Sequence, residues 1–146
     1  MNAINKAKVV YLKRFILLNR EIDRMVNELE FWRNKLGKVT AVYTSEPKGG
    51  GTIYTKAEEI VAKIVDLEAE VNKSIDELIE LREGITQVIK EVEDDRERLL
   101  LQYRYIQGLP FEVIAASMGF SWRHVHRVHA SALTNVKIKD VIVCHT

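Results

Sequence analysis

The chain has 146 residues, 47% of them apolar, and its 22 Lys and Arg against 21 Asp and Glu leave a net charge of +1. That length holds one ordinary domain, or a small domain with an elongated appendage, and the balance of charge excludes a uniformly basic nucleic-acid binder. A single cysteine, Cys144, excludes an internal disulfide, and neither a membrane-spanning apolar run nor a signal-peptide pattern is present, so a cytoplasmic protein is expected.

The near-neutral total hides a partition. Residues 1–56 carry 11 basic against 5 acidic side chains, residues 57–95 carry 4 against 13, and residues 96–146 carry 7 against 3. In the first segment Tyr11, Phe15, Leu18, Ile22, Met25, Leu29, Trp32 and Leu36 alternate at spacings of four and three, the signature of a helix with one continuous apolar seam. The stretch "GKVTAVYTSEPKGGGTIYT", residues 37–55, then reads as a loop. Val39, Val42, Tyr43, Ile53 and Tyr54 have strand-like character and "PKGGG" is a breaker, so a short two-stranded excursion and a structureless loop are both open. No GK[ST] follows the three glycines, which sets aside a phosphate cradle.

The acidic segment repeats the seam at Ile60, Ile64, Leu67, Val71, Leu78, Leu81, Ile85, Val88 and Val92, interrupted by Ser74, with Thr55 and Glu58 spaced as a capping box at its start. Two such helices, each roughly 50 to 55 Å long at about 1.5 Å per residue, predict an antiparallel hairpin over residues 1–94. Val61, Val65, Ile75, Ile79 and Ile89 widen the apolar stripe beyond what one partner helix covers, which predicts a homodimer through the long helices. The acidic face itself reads as solvated, with a DNA-mimicking cover for the basic segment as the sharper alternative.

From Asp95 the heptad gives way to "DRERLLLQYRYIQGLPFEVIAASMGFSWRHVHRVHASAL". Gly108 can end one helix and Pro110 open the next, whose inward residues are read as Val113, Ile114 and Met118; Leu99, Leu100, Tyr103 and Ile106 would tie the preceding helix to it. Ala115, then Gly119 four residues on, then Phe120, Val125 and Val128 meet the needs of a helix-turn-helix: a small residue where helices pass closely, a glycine for the left-handed turn, and apolar anchors on the second helix. Ser121 is placed to cap that second helix. The predicted fold is thus all-α, a long antiparallel helical hairpin or coiled coil followed by a helix-turn-helix domain at residues 95–135 and a tail at 136–146.

On a helix starting at Ser121, Val125 and Val128 face inward, whereas Trp122, Arg123, His126 and Arg127 project outward with His124 at the border. The outward N-terminal residues of such a helix lie along the major groove of a docked duplex. Ser121, Trp122, Arg123, His124, His126 and Arg127 are therefore the candidate DNA-binding residues, with Arg104, Lys137 and Lys139 as candidate phosphate contacts. A metal site is disfavoured: His126 and His129 are an i, i+3 pair, and only Cys144 and His145 of the tail could complete it. Ser121 as a nucleophile lacks a nearby carboxylate behind the histidines. His129 reads as a satisfied residue at the core boundary. No cofactor and no catalytic step are expected.

The segment "LLQYRYIQGLPFEVIAASMGFSWRHVHRVHASAL" resembles the fourth region of bacterial sigma factors, and more closely is similar to small phage and prophage proteins of Gram-positive bacteria related to the ArpU and RinA families of transcriptional regulators. In that group "RYI.G" leads into "IA..MG.S.RHV.R.H..AL", matched here from Arg104, Tyr105, Ile106 and Gly108 through Ala115, Gly119, Ser121, Arg123, His124, Val125, Arg127 and His129 to Ala132 and Leu133. The departure is Pro110, where such proteins carry a residue able to cap the helix. The resemblance implies double-stranded DNA binding and control of phage late or integration genes, without enzymatic activity, in the cytoplasm of a bacterial host. The alternatives are a phage DNA-packaging subunit and a module that docks on RNA polymerase. The tail "NVKIKDVIVCHT" alternates Val136 with Ile138 and Val141 with Val143, in short strand-like fashion.

Overall fold

The computed structural model describes residues 1–45 and 50–138 as helices and short connections: α1 (Ala3–Ser45), α2 (Gly50–Lys90), α3 (Asp95–Leu101) continued by a π-helical turn (Gln102–Ile106), α4 (Phe111–Met118) and α5 (Trp122–Asn135), with no strand among the described residues. The architecture is all-α, a long helix pair followed by a helix-turn-helix. The two long helices lie side by side in each stretch: Tyr11 meets Gly84, and further along Trp32 meets Lys63 and Arg33 meets Glu68.

Both long helices outrun the expectation. α1 has 43 residues and α2 has 41, so each extends about 60–65 Å at the α-helical rise. The stretch expected as a loop at 37–55 is helical as far as Ser45 and again from Gly50, and Thr55 lies inside α2 instead of capping it. Packing overrides local preference here. Gly37 costs a helix about 1 kcal/mol, but Leu36 and Val39 on either side pack onto the cluster of Leu29, Ile60 and Ile64, and the Thr40 hydroxyl donates back to the carbonyls of Leu36 and Gly37 at 2.9 and 3.1 Å. Residues 46–49 and 139–146, which include part of the "PKGGG" breaker and Lys139, Val141, Val143, Cys144 and His145 of the tail, lie outside the described residues.

The chain divides into two compact units. One, residues 19–77, is the hairpin built on Ile22, Met25, Leu29, Ile60, Ile64 and Val71, all buried as the seam predicts. The Arg33–Glu68 ion pair at 2.7 Å and the Lys63 ammonium over the Trp32 ring sit beside that seam. These exposed pairs fix register more than they stabilise.

The other unit joins residues 1–18 to the chain from Leu78 onward. Its main cluster draws Leu12 and Phe15 from α1, Ile85 and Ile89 from α2, Val92 after it, Leu101 and Tyr105 from α3 and its π turn, and Ala132, Leu133 and Val136 from the end of α5. Ile89 is thus fully buried and is no part of an outer stripe, in contrast to Val61, Val65, Ile75 and Ile79, which are exposed. At the C-terminal end of α5 the Lys8 ammonium donates to the carbonyls of Leu133 and Thr134 at 2.7 and 3.4 Å, supplying donors and positive charge where the helix needs both. Partial burial lowers the pKa of Lys8.

α3 starts afresh at Asp94, whose carboxylate accepts from the backbone amides of Arg96 and Glu97 at 2.9 and 3.1 Å. This new start breaks the periodicity inherited from α2, so Leu100 and Leu101 turn inward while Leu99, expected inside, is 39% exposed. In the π turn the amide of Gln107 donates to the carbonyl of Gln102, and Gly108 then takes the left-handed conformation (φ 72°) that ends the segment. Glu97 clasps α3 to α5: its carboxylate accepts from the Ser131 hydroxyl at 2.5 Å and the Asn135 amide at 2.8 Å.

Candidate functional site

The site is built by two turns and a cap. α4 opens at Pro110, which sits at the cap position with no side-chain hydrogen bond, and closes at Gly119 with φ 68° and ψ 30°. The amides of Gly119 and Phe120 return to the carbonyls of Ala116 and Ala115, at 3.4 and 2.8 Å, the pair of bonds that a left-handed glycine makes possible. Ser121 then caps α5, its hydroxyl accepting from the His124 amide at 3.1 Å. The core between α3, α4 and α5 is Leu100, Ile114, Ala115, Val125 and Val128, with Tyr103, Phe111, Met118 and Phe120 packed around it. Val113, expected to face inward, is 43% exposed; Phe111 takes the inner position, because α4 begins at Phe111 and its inward face runs from there through Ile114 and Ala115 to Met118.

With Val125 and Val128 inside, the opposite face of α5 is Trp122, Arg123 and Arg127, all exposed, with His124 and His126 partly buried. Among the described residues neither Arg123 nor Arg127 takes part in an ion pair, and no acidic residue lies in the first turn of α5. The unpaired amides of that turn therefore add to the positive charge of the two guanidinium groups. Arg127 also borders a cleft with Arg96, Asp94, Glu97 and Ser131. Sequence reasoning did not place Arg96 near this face, since nothing in the spacing relates α3 to α5.

The other candidates lie elsewhere. The Arg104 guanidinium donates to the Leu109 carbonyl at 3.1 Å and stacks over Phe111 at 4.2 Å, so it braces the turn between α3 and α4. Lys137 follows the far end of α5, in a cleft shared with Glu91, Glu93 and Asp94. Ser121 is engaged as a cap.

The three clustered histidines form a packing set. His124 packs edge-on to Phe120 at 4.4 Å, His126 lies between Trp122 at 4.2 Å and Phe111 at 4.7 Å, and His129 meets Phe111 at 4.9 Å and Tyr105 at 5.9 Å. No group of three or more metal-ligating side chains comes together among the described residues. His129 is buried and hydrogen-bonded through Nε2 to the Tyr105 hydroxyl at 2.7 Å. Burial, reinforced by the charges of Arg104, His126 and Lys13, lowers its pKa to about 4, and burial raises that of Tyr105 to about 12.

Because the folded state holds His129 neutral where the unfolded chain protonates it at its ordinary pKa of 6.5, stability is complete above pH 6.5 and falls as the pH drops toward 4. The expected loss is about 3 kcal/mol across that interval. Urea denaturation at pH 7.5 and pH 4.5 measures it, and His129→Phe is expected to flatten most of the dependence.

Residues 94–137 match the family model for Sigma-70, region 4. The match begins at the Asp94 cap of α3 and ends one residue past the C-cap of α5, so it spans the helix-turn-helix with its supporting helix. No curated protein and no solved structure compared with the chain matches it. Sigma-70 region 4 is a DNA-binding helix-turn-helix domain. No helix of the described residues is long and apolar enough to cross a membrane.

Proposed function

We propose that the protein binds double-stranded DNA in a sequence-specific manner and acts as a transcription regulator of the phage type, without a catalytic step. The observation that carries this reading is the outer face of α5. Trp122, Arg123 and Arg127 stand exposed on the first turns of a capped helix, while Val125 and Val128 hold that helix against α3 and α4. Arginine forks suit guanine edges and phosphates, and an exposed indole suits a sugar-phosphate wall or a thymine methyl. In a titration of the full chain against duplex DNA, affinity is expected to fall steeply with added salt as counterions are released. Binding that ignores salt, or none at about 50 mM salt, overturns the reading.

The regulator is proposed to work as a homodimer through the long helices. Val26 of α1 with Val61, Val65 and Ile75 of α2 are each between 38% and 57% exposed within the 19–77 unit, apolar side chains that a second copy of the chain would cover. Light scattering at micromolar concentration is expected to give twice the 16.8 kDa chain mass. Ile75→Asp with Val65→Asp is expected to return it to one chain mass, and a wild-type monomer would reject the dimer.

A further inference from the structure

The proposed duplex-binding side of α5 contains a polar atom that is left without a partner among the described residues. Among the described residues Nε2 of His126 has no hydrogen-bond partner, and it is shut off from solvent. Buried polar nitrogens ordinarily have one, and leaving one unpaired disfavours the state that contains it. The atom belongs to an imidazole held between two rings, Trp122 with centroids 4.2 Å apart and planes at 63°, and Phe111 with centroids 4.7 Å apart and planes at 44°.

The two rings are not equally free to move. Phe111 also packs against His129 at 4.9 Å, lies beneath the Arg104 guanidinium at 4.2 Å, and belongs to the core cluster between α3, α4 and α5. Trp122 is 56% exposed, is the first residue of α5, and has His126 as its only ring contact among the described residues. It stands beside Arg123 and one helical turn from Arg127 on the proposed duplex-binding face.

We propose that the Trp122 indole is a movable cover over His126: docking on a duplex draws the indole onto the DNA, and His126 Nε2 gains a polar partner there. This rests on the reading of the α5 face as a DNA-binding surface and deepens it, because it makes His126 a contact residue in its own right and not a prop for Trp122. Docking then removes an unpaired nitrogen and an exposed indole together. Both gains belong to the bound state alone, which is what a shift of conformation on binding requires.

The test is a double-substitution cycle on the full-length chain, read by fluorescence polarisation of a labelled duplex recovered from random-sequence selection. His126→Phe keeps a ring between Trp122 and Phe111 but removes both nitrogens. It is expected to retain the wild-type circular dichroism spectrum and to weaken binding about tenfold, the effect of one lost hydrogen bond at an interface. A smaller loss, about threefold, is expected when His126→Phe is made in the Trp122→Ala background, because Nε2 is there open to water before docking and only the contact with the duplex is left to lose. His126→Gln, whose amide reaches where Nε2 lies, is expected to bind within about threefold of wild type, and it gives a second reading should His126→Phe fold poorly.

Wild-type affinity in His126→Phe overturns the proposal. So does a loss that disappears once Trp122 is replaced, since His126 would then act only by propping the indole. A wild-type chain that binds no duplex at low salt overturns the DNA-binding reading itself, an outcome distinct from both.

Discussion

Leu12→Ala is expected to destabilise the unit that carries the helix-turn-helix by about 2–5 kcal/mol, the range for emptying a fully buried leucine site. Leu12 is 0% exposed and shares one cluster with Ile85 and Ile89 of α2, with Leu101 and Tyr105, and with Ala132, Leu133 and Val136 at the end of α5. Lys8, one helical turn earlier, holds the Leu133 carbonyl. The consequence is that α5 is seated by α3 along its length, with α4 added at its N-terminal half through Val125 and Val128 and the start of α1 and the end of α2 added at its C-terminal half. Urea denaturation monitored by circular dichroism measures the loss. The contrast is Leu17→Ala, at a position 56% exposed on the same helix, where a change within about 0.5 kcal/mol is expected. Equal effects at the two positions would contradict this packing.

The second large effect is on binding. Arg123→Ala with Arg127→Ala is expected to abolish specific DNA binding at moderate salt, since each arginine contributes about 1–3 kcal/mol where it reads a base edge. Neither side chain is tied into an ion pair among the described residues and neither packs in a core cluster, so the double variant is expected to melt within a few degrees of wild type. Arg104→Ala is expected to behave in the opposite way. Its guanidinium braces the Leu109 carbonyl and Phe111, so the substitution costs stability, and it weakens binding only through displacement of Phe111. An Arg104→Ala chain that folds as wild type but loses DNA binding would restore Arg104 as a direct phosphate contact.

Where the sequence was readable, the reason is local geometry. Gly119 and Ser121 announce a turn and a cap by chemistry that acts within four residues, and the 3.6-residue period then dictates that Val125 and Val128 face the core while Arg123 and Arg127 do not. The seam through Phe15, Ile22, Met25 and Leu29 was readable for the same reason. The failures share a different cause. Leu12 and Ile89 lie beside their seams, and each is buried because a third partner arrives from α3 and α5, which no period within one helix can announce. Leu99 and Leu101 exchange places because the Asp94 cap resets the register after α2. The residues from Gly37 to Thr40 have β-branched and glycine character, yet the apolar cluster of the hairpin holds Leu36 and Val39 in a helix. In the site itself, the packing of His126 depends on Phe111, which reaches it from a different helix. The bracing role of Arg104 depends on the turn at Gly108. Neither contact has a signature in spacing.

Selection of bound sequences from a random pool of duplex DNA, carried out in parallel on the wild-type chain and on Arg127→Ala, tests the assignment of the α5 face most directly. The wild-type chain is expected to enrich a short common sequence, and Arg127→Ala to lose its preference at one or two positions of that sequence. A wild-type pool that stays random, or an identical preference in the variant and in the Arg123→Ala, Arg127→Ala double variant, would contradict the claim that this face of α5 reads DNA.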